Sequence, residues 1–168
     1  PGGSIIRRIP MPAGPSGLVP TADGTKLIAT CAAPKSTVVV MDAASGRVTA
    51  SIPAGHSAIG PALAPDGRRL YVCNRFHNDV SVIDLQTLQP KPAIKLPLGS
   101  TNTRGIAISH DGATGFVVHT LGRFNLPTTQ LDRGWIITNA LSIIDIRSNK
   151  LTATVLLDQV MDGAADPW

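Results

Sequence analysis

Apolar and polar residues alternate in short stretches along most of the chain, and turn-forming residues separate these stretches. The clearest example follows Asp66-Gly67, where an apolar stretch at 70–73 leads through a polar loop to a second one at 80–83, which ends in Asp84. Alternation over a few residues between turns is typical of half-buried β-strands. Long runs of helix-forming Ala, Glu, Lys and Leu are absent from the sequence. The pattern therefore predicts an all-β fold with tight turns.

The same order of elements occurs three times. Each copy contains an Asp-Gly pair, a glycine six residues before it, and an apolar stretch that ends in Asp. The pairs are Asp23-Gly24, Asp66-Gly67 and Asp111-Gly112, the earlier glycines are Gly17, Gly60 and Gly105, and the stretches end at Asp42, Asp84 and Asp145. Copies spaced by 43 and 45 residues, each with room for four short strands, predict antiparallel blades of a β-propeller.

Three such blades account for nearly the whole chain, so we assign residues 1–168 to one partial propeller domain. Its repeats lie at about 14–55, 56–99 and 100–158. Residues 5–9 match 48–52 in pattern and predict the outer strand of a preceding blade, and the C-terminal end is expected to open a following one. Because propellers close with roughly four to eight blades, we expect the other blades to come from a longer chain or another subunit.

The third repeat is longer than the others in one place. From the turn Asp to the strand-ending Asp there are 19 and 18 residues in the first two copies and 34 in the third. The extra residues lie at about 121–135, between the second and third strands, and loops of this length are usually functional or disordered. Large apolar residues in the insertion favour order. We expect an ordered loop that presents Arg123 and Arg133 to a partner or an anionic ligand.

Composition and charge exclude several classes of protein. The net charge is +4, but the basic residues are scattered and the aromatic content is only 4%. A nucleic-acid surface needs clustered Lys and Arg with aromatic platforms, so we expect no nucleic-acid binding. No apolar run approaches the roughly 18 residues of a membrane-spanning helix.

The two cysteines occur in no metal or haem motif. Cys-x-x-Cys-His is absent, so no c-type haem attaches to this segment. Counted from the turn Asp of its own repeat, Cys31 is one position out of phase with Cys73. Side chains one position apart point to opposite faces of a sheet, so we expect two buried free thiols instead of a disulfide.

The stretch Tyr71-Val72-Cys73-Asn74 closely resembles the Tyr-Val-Thr-Asn (YVTN) signature of a family of bacterial β-propeller repeats, with Cys73 in the place of Thr. The surrounding Pro65-Asp66-Gly67 and the strand at 80–84 fit the same family, and weaker matches cover nearly the whole chain. The resemblance implies a propeller of about seven blades in an exported protein, periplasmic or extracellular. Residues 119–145 resemble the cytochrome-associated subgroup. The family shares a scaffold and no catalytic residues, so it implies no active site here.

One end of the predicted blades is expected to carry the function. In a four-stranded meander the tight Asp-Gly turns lie at one end, and the longer loops lie at the other. Loops presented by a rigid scaffold commonly bind ligands. Arg offers a planar fork for carboxylate or phosphate, and His can ligate a metal or move protons. The candidate ligand or partner residues are His56, Asn74, Arg75, His77, Arg104, His119, Arg123, Asp132, Arg133 and Trp135. The sequence assigns no catalytic residue and no metal ligand.

Three functions remain open from the sequence. The leading one is a non-catalytic binding module of an exported protein that docks a partner protein or a redox domain such as a cytochrome. It needs no nucleophile–base pair, and no such pair can be identified from the sequence. The alternatives are an enzyme, either a lactonase-like hydrolase or a haem-dependent oxidoreductase, and a structural surface-layer repeat. We expect no cofactor in this segment, and haem only in the full-length protein or a partner.

Overall fold

Every regular element that the computed structural model describes is a β-strand. The described residues are 4–5, 7–122 and 137–158. The strands are β1 Gly14–Pro20, β2 Lys26–Ala32, β3 Thr37–Asp42, β4 Val48–Pro53, β5 Ala58–Leu63, β6 Arg69–Asn74, β7 Asp79–Asp84, β8 Gln89–Lys95, β9 Ser100–Ile108, β10 Thr114–Gly122, β11 Ile137–Asp145 and β12 Lys150–Leu156. None of these residues forms a helix that could span a membrane. The all-β prediction is confirmed.

Twelve strands form three antiparallel sheets of four, each built from consecutive strands in the order of the chain. We call these sheets blades 1, 2 and 3. The first strands β1, β5 and β9 contact one another in turn, whereas the fourth strands barely touch. The blades therefore radiate from a line of inner strands, as the repeat predicted.

The repeated glycine lies where neighbouring inner strands approach most closely. A Cβ atom on Gly17 would collide with the ring of Pro61 in β5. A Cβ atom on Gly60 would lie 2.9 Å from the main chain at Arg104 and Gly105, and Gly60 also has a positive φ of 58°. Only glycine both fits this close approach and adopts a positive φ at little cost in free energy. Close packing of the inner strands thus explains the spacing seen in the sequence.

Two buried layers hold the three blades together. Between blades 1 and 2, Ile28 and Val40 belong to one apolar cluster with Leu70 and Val72. Between blades 2 and 3, the cluster contains the following buried residues: Tyr71, Cys73, Val80, Val82, Val117, Ile144 and Ile146. Alternation along β6 sends successive side chains into the two layers in turn, so blade 2 is buried on both faces.

Most of the predicted core residues are buried or packed against the core. Three others lie together on one face of blade 3. Val38, Val40, Leu70, Val72, Val80 and Val82 are buried, and Ile106 and Ile108 are partly buried. Phe116 is 37% exposed, and Val118 and Ile143 are also not fully buried. These last three lie on the far face of blade 3, which no other described sheet covers. Their exposure leaves an apolar face of the kind that a further blade would cover.

Both cysteines are buried and free, as predicted. Cys31 packs in a cluster on the outer face of blade 1, and Cys73 packs between blades 2 and 3. The two therefore point to opposite sheet faces. Burial raises the pKa of the Cys73 thiol to about 12, so this group is a small apolar core residue rather than a nucleophile.

One predicted boundary was wrong, and the predicted N-terminal strand of a preceding blade stays a prediction. The described residues before Gly14 pair with no strand among the described residues and pack against blade 1 through Ile9 and Met11. The insertion predicted at 121–135 begins later, because Leu121 and Gly122 still pair in the β10–β11 ladder with Thr138 and Ile137. The hairpin arms are thus longer than the alternation indicated, and residues 123–136 lie outside the described residues.

A charge placed between blades 2 and 3 should destabilise the fold. Val82 is completely buried in this layer, so Val82→Asp is expected to cost several kcal/mol because its carboxylate would have no partner. Urea unfolding of the full-length protein measures the loss. The control is Val48→Asp on outer strand β4, where the side chain is 42% exposed and the cost should stay within about 0.5 kcal/mol. Equal midpoints for the two variants would contradict the packing described here.

Candidate partner-binding surface

The two ends of the blades differ in their connections. At one end lie the tight turns that contain Gly24, Gly67 and Gly112, and we call this end the turn face. At the other end lie the loops after the second strands and the connections between blades, at 33–36, 54–57, 75–78 and 97–99, and we call it the loop face. The candidate residues that the structure describes lie in loops of the loop face or in strands that border it.

Hydrogen bonds hold the connection between blades 1 and 2 in one conformation. The buried Ser36 hydroxyl accepts from the main-chain N–H of Ala58 at 2.9 Å and donates to the Ala33 carbonyl at 2.8 Å. Ser57 has a left-handed φ of 54°, and its N–H donates to Ala33 while its carbonyl accepts from Arg75. This connection is therefore bonded to loops of both blades. The bonds of Ser57 fix the position of His56, the residue before it.

Four side chains from two loops meet on this face, and we call them the His56–Phe76 cluster: His56, Arg75, Phe76 and His77. The His56 ring packs edge-on against Phe76 with 5.6 Å between ring centroids, and its centroid lies 6.3 Å from that of His77. The Arg75 guanidinium carbon lies 5.3 Å from the centroid of the Phe76 ring. Phe76 is 55% exposed, so the cluster presents an aromatic ring in contact with one cation and one imidazole, with the second imidazole beside the first.

The Arg75 side chain is positioned from a third blade. Its Nε donates to the Oδ1 atom of Asn102 in β9 at 2.9 Å. Asn102 has a left-handed φ of 52°, a conformation that Asn tolerates better than most residues. The contact between blades 2 and 3 therefore holds the guanidinium over Phe76 before any partner arrives.

Acidic residues are concentrated on the opposite face. The chain has no Glu, and six of the eight described Asp residues lie on the turn face: Asp23, Asp42, Asp66, Asp84, Asp111 and Asp145. The two on the loop face are both engaged, Asp79 with Lys95 at 2.6 Å and Asp158 with the Asn139 side chain at 3.0 Å. Lys35 is exposed on the described loop face and Arg75 is partly exposed there, and neither has a carboxylate partner among the ion pairs described for this face.

The turn-face carboxylates have a structural role. The Asp23 carboxylate accepts from the Thr21 hydroxyl at 2.6 Å and from the Thr25 N–H at 3.0 Å. These bonds lower the pKa of Asp23 to about 2. The same kind of local bonding lowers the pKa of Asp42, Asp84, Asp111 and Asp145. Each of these residues caps its own turn, which accounts for its place in the repeat.

Asn74 lies at the end of β6 and is buried, not in a solvated loop. Its Nδ2 donates to Asp79 Oδ1 at 2.6 Å and to Ser81 Oγ at 2.9 Å. A Cβ atom on Gly55 would collide with this side chain. Asn74 therefore ties β6 to β7 beneath the connection that carries His56, and supports the cluster from below.

His119 holds the equivalent position in blade 3, eight residues after the turn Asp, and it is also buried. Its Nδ1 donates to the Thr120 carbonyl at 3.1 Å, which leaves Nε2 to accept from Ser142 Oγ at 2.9 Å. Ser142 occupies the place of Ser81 in the ladder. Blades 2 and 3 thus share one buried polar pair, whereas blade 1 has Cys31 and Val39 there.

The structure therefore brings some of the predicted site residues together and separates others. His56, Arg75 and His77 meet, while Asn74 and His119 are buried and Arg104 is half-buried in inner strand β9. Arg123, Asp132, Arg133 and Trp135 lie outside the described residues. Sequence analysis missed Phe76 and Asn102. An aromatic residue in a short polar loop was a usable signal for Phe76, but nothing local pointed to Asn102.

Histidine and serine side chains are hydrogen-bonded at two places in the part of the chain that the structure describes. Two His–Ser hydrogen bonds occur that the sequence analysis did not identify, His56 Nδ1 to Ser57 Oγ at 3.0 Å and the buried His119–Ser142 pair. Near Ser57, the main-chain N–H groups of Ser57 and Arg75 are already bonded to carbonyl oxygens, so neither can stabilise an oxyanion. Among residues 4–5, 7–122 and 137–158, no group of three or more His, Cys, Asp or Glu is placed to hold a metal ion.

Comparisons with known proteins support the architecture. No protein-family model and no curated protein matches the chain. Among solved structures, it resembles Kuenenia stuttgartiensis hydrazine synthase, with a TM-score of 0.56 and 21% identity over 93% of this chain and 53% of that one. It also resembles the dihydro-heme d1 dehydrogenase NirN in complex with DHE, with a TM-score of 0.67 and 15% identity over 92% of this chain and 31% of that one. The chain also resembles U3-55K, with a TM-score of 0.64 and 17% identity over 87% of this chain and 40% of that one.

These three neighbours are β-propeller proteins. The chain is a section of a β-propeller. At identities of 15–21% the likeness shows the fold alone. The propeller section spans about half of the hydrazine synthase chain and smaller shares of the other two, so the activities of those proteins are not transferred to it.

The buried histidine should make stability depend on pH. Burial lowers the pKa of His119, so as pH falls below about 6.5 the unfolded chain takes up a proton that the folded chain resists. Stability should therefore fall with pH in this range. The variant His119→Asn copies the Asn74–Ser81 pair of blade 2 and removes the titrating ring. Urea unfolding at a series of pH values should show a smaller change of its unfolding free energy with pH.

The matched control is His110→Asn, which replaces an exposed histidine on the turn face. This control should keep the wild-type slope of stability against pH. An unchanged slope in His119→Asn would show that another group carries the dependence.

Proposed function

We propose that this propeller section is a non-catalytic docking module that binds an acidic protein surface through its loop face. The observation that carries the proposal is the His56–Phe76 cluster, in which Arg75 and His56 contact an exposed Phe ring and His77 lies beside His56. Aromatic and Arg side chains dominate the binding energy of protein interfaces. The Arg75 guanidinium beside this ring, and exposed Lys35 on the same face, favour an acidic partner.

Preorganisation of the cluster supports the same proposal. Arg75 is held by Asn102, and His56 is held by a connection that is bonded to the loops of two blades. Side chains ordered before binding lose less conformational entropy when a partner arrives. The cluster is thus better suited to recognition than four independently moving loop residues.

The proposal also includes the type of propeller, its cellular location and the class of its partner. We assign the section to a propeller of the Tyr-Val-Thr-Asn type in an exported protein, periplasmic or extracellular, with the partner a redox domain such as a cytochrome. Its haem would belong to the full-length protein or the partner. The motif at Tyr71–Asn74 supports the assignment, since Asn74 secures the loop that carries Arg75 and Phe76.

A photo-crosslinking experiment tests the docking role. A photoreactive phenylalanine analogue at position 76 of the full-length protein should capture one discrete protein, with a yield that falls as salt is raised because charge drives the contact. The Arg75→Ala variant should reduce this yield severalfold. The analogue at position 48, another exposed apolar site on β4, is the control and should capture nothing discrete. Equal capture at both positions would contradict the proposal.

The insertion after β10 is proposed to extend this surface through Arg123 and Arg133. Because Gly122 and Ile137 form the last ladder pair, residues 123–136 can be replaced by Asn-Gly, the two-residue turn that suits a hairpin. The fold should survive, since shortening a loop changes its closure entropy by only about 0.6 kcal/mol per halving. Crosslinking from position 76 should weaken. A folded variant with unchanged capture would remove the insertion from the proposed surface.

A further inference from the structure

Between blades 2 and 3, at the turn face, one aromatic side chain fills the slot between the blades. Tyr71 is completely buried, and its hydroxyl lies 2.8 Å from the Oδ1 atom of Asn149 in the turn after β11. The neighbouring Arg69 donates to the main-chain carbonyl of Ile146 at 2.6 Å. Burial raises the pKa of the Tyr71 phenol, so the group is a neutral donor in this slot.

The equivalent slot between blades 1 and 2 contains no aromatic side chain among the described residues. Counted from the Asp residues of each repeat, Ile28 takes the place of Tyr71, Lys26 that of Arg69, Leu85 that of Ile146 and Leu88 that of Asn149. A cavity of about 290 Å³ remains, lined by the apolar Ile28, Val40, Leu85 and Leu88 and by the polar Thr21, Asp23 and Lys26, among others. The two slots are built from equivalent positions, but the first has a cavity where the second contains a phenol.

Leu88 is an unusual residue for its position. Its φ of 57° is left-handed, as is that of Asn149 at 53° and of Gly46 at 69° in the equivalent turns. Gly and Asn suit this conformation, whereas a large apolar residue adopts it at a cost. The apolar side chain nevertheless packs against the cluster that includes Ile28 and Val40, so the turn places an apolar wall beside the cavity.

We propose that this slot is a binding site for a small phenol, with the ring taking the place that Tyr71 has in the next slot. The ring would lie against Leu88 above the buried Ile28 and Val40, and the hydroxyl would donate to the main-chain carbonyl of Leu85, the counterpart of the Ile146 carbonyl that accepts from Arg69. The volume is sufficient, since an apolar cavity of about 150 Å³ already binds benzene. The site lies on the turn face and is independent of the proposed docking role.

The probe is p-cresol, which is the tyrosine side chain without its backbone. In full-length protein with labelled Ile, Leu and Val methyl groups, titration should give saturable shifts at Ile28, Val40, Leu85 and Leu88, with a Kd on the order of 1 mM for so small a ligand. Toluene, which lacks the hydroxyl, should bind severalfold more weakly. Shifts that do not saturate, or that are equally large at Leu98 on the loop face, would overturn the proposal.

Variants that copy residues of the slot between blades 2 and 3 give a stricter test. Leu88→Asn supplies the acceptor that Asn149 offers to Tyr71 and suits the left-handed φ, so it should tighten p-cresol binding severalfold. Ile28→Tyr with Leu88→Asn fills the slot from within and should weaken binding by at least about tenfold. The control Leu98→Tyr adds a phenol at a site that is 76% exposed and should leave the affinity unchanged. Unchanged affinity in Leu88→Asn would show that the hydroxyl does not reach position 88 as that of Tyr71 reaches Asn149, and unchanged affinity in the double variant would overturn the site.

Discussion

Face-to-face packing of the sheets is the interaction on which the rest of this structure depends. Each blade is apolar on both faces, so no blade can bury its core alone, and every blade needs a neighbour on either side. Blade 2 meets this requirement fully, with Leu70 and Val72 against blade 1 and Tyr71 and Cys73 against blade 3. The far face of blade 3, with Phe116 partly exposed, does not. The same packing brings the inner strands so close together that Gly17 and Gly60 cannot carry a side chain.

Quasi-equivalent positions show how the repeat varies while the packing is kept. The polar pair near the loop face is Asn74–Ser81 in blade 2 and His119–Ser142 in blade 3, and both bonds are 2.9 Å long. An amide and an imidazole can each bond to the same serine, so the ladder tolerates the exchange. On the turn face, Tyr71 is replaced by Ile28, and a cavity takes the place of a phenol. One scaffold thus gives each interface between blades its own chemistry.

The His56–Phe76 cluster depends on the same packing. His56 comes from the connection between blades 1 and 2, Arg75 and Phe76 come from a loop of blade 2, and Asn102 comes from blade 3. The cluster forms only because stacked blades place these loops side by side. The cation of the cluster is Arg75, and its place over Phe76 follows from the bond to Asn102 in the next blade.

The sequence by itself determined the strands, the tight turns, the number of blades and the burial of Cys31 and Cys73, because alternation and turn chemistry are encoded within a few neighbouring residues. It also identified His56, Arg75 and His77 as residues of one face. Only the tertiary structure decided that Asn74 and His119 are buried, that Phe76 joins the surface with support from Asn102, and that the hairpin arms of blade 3 continue past Val118. These outcomes depend on partners in other strands or blades, whose positions no local pattern can specify.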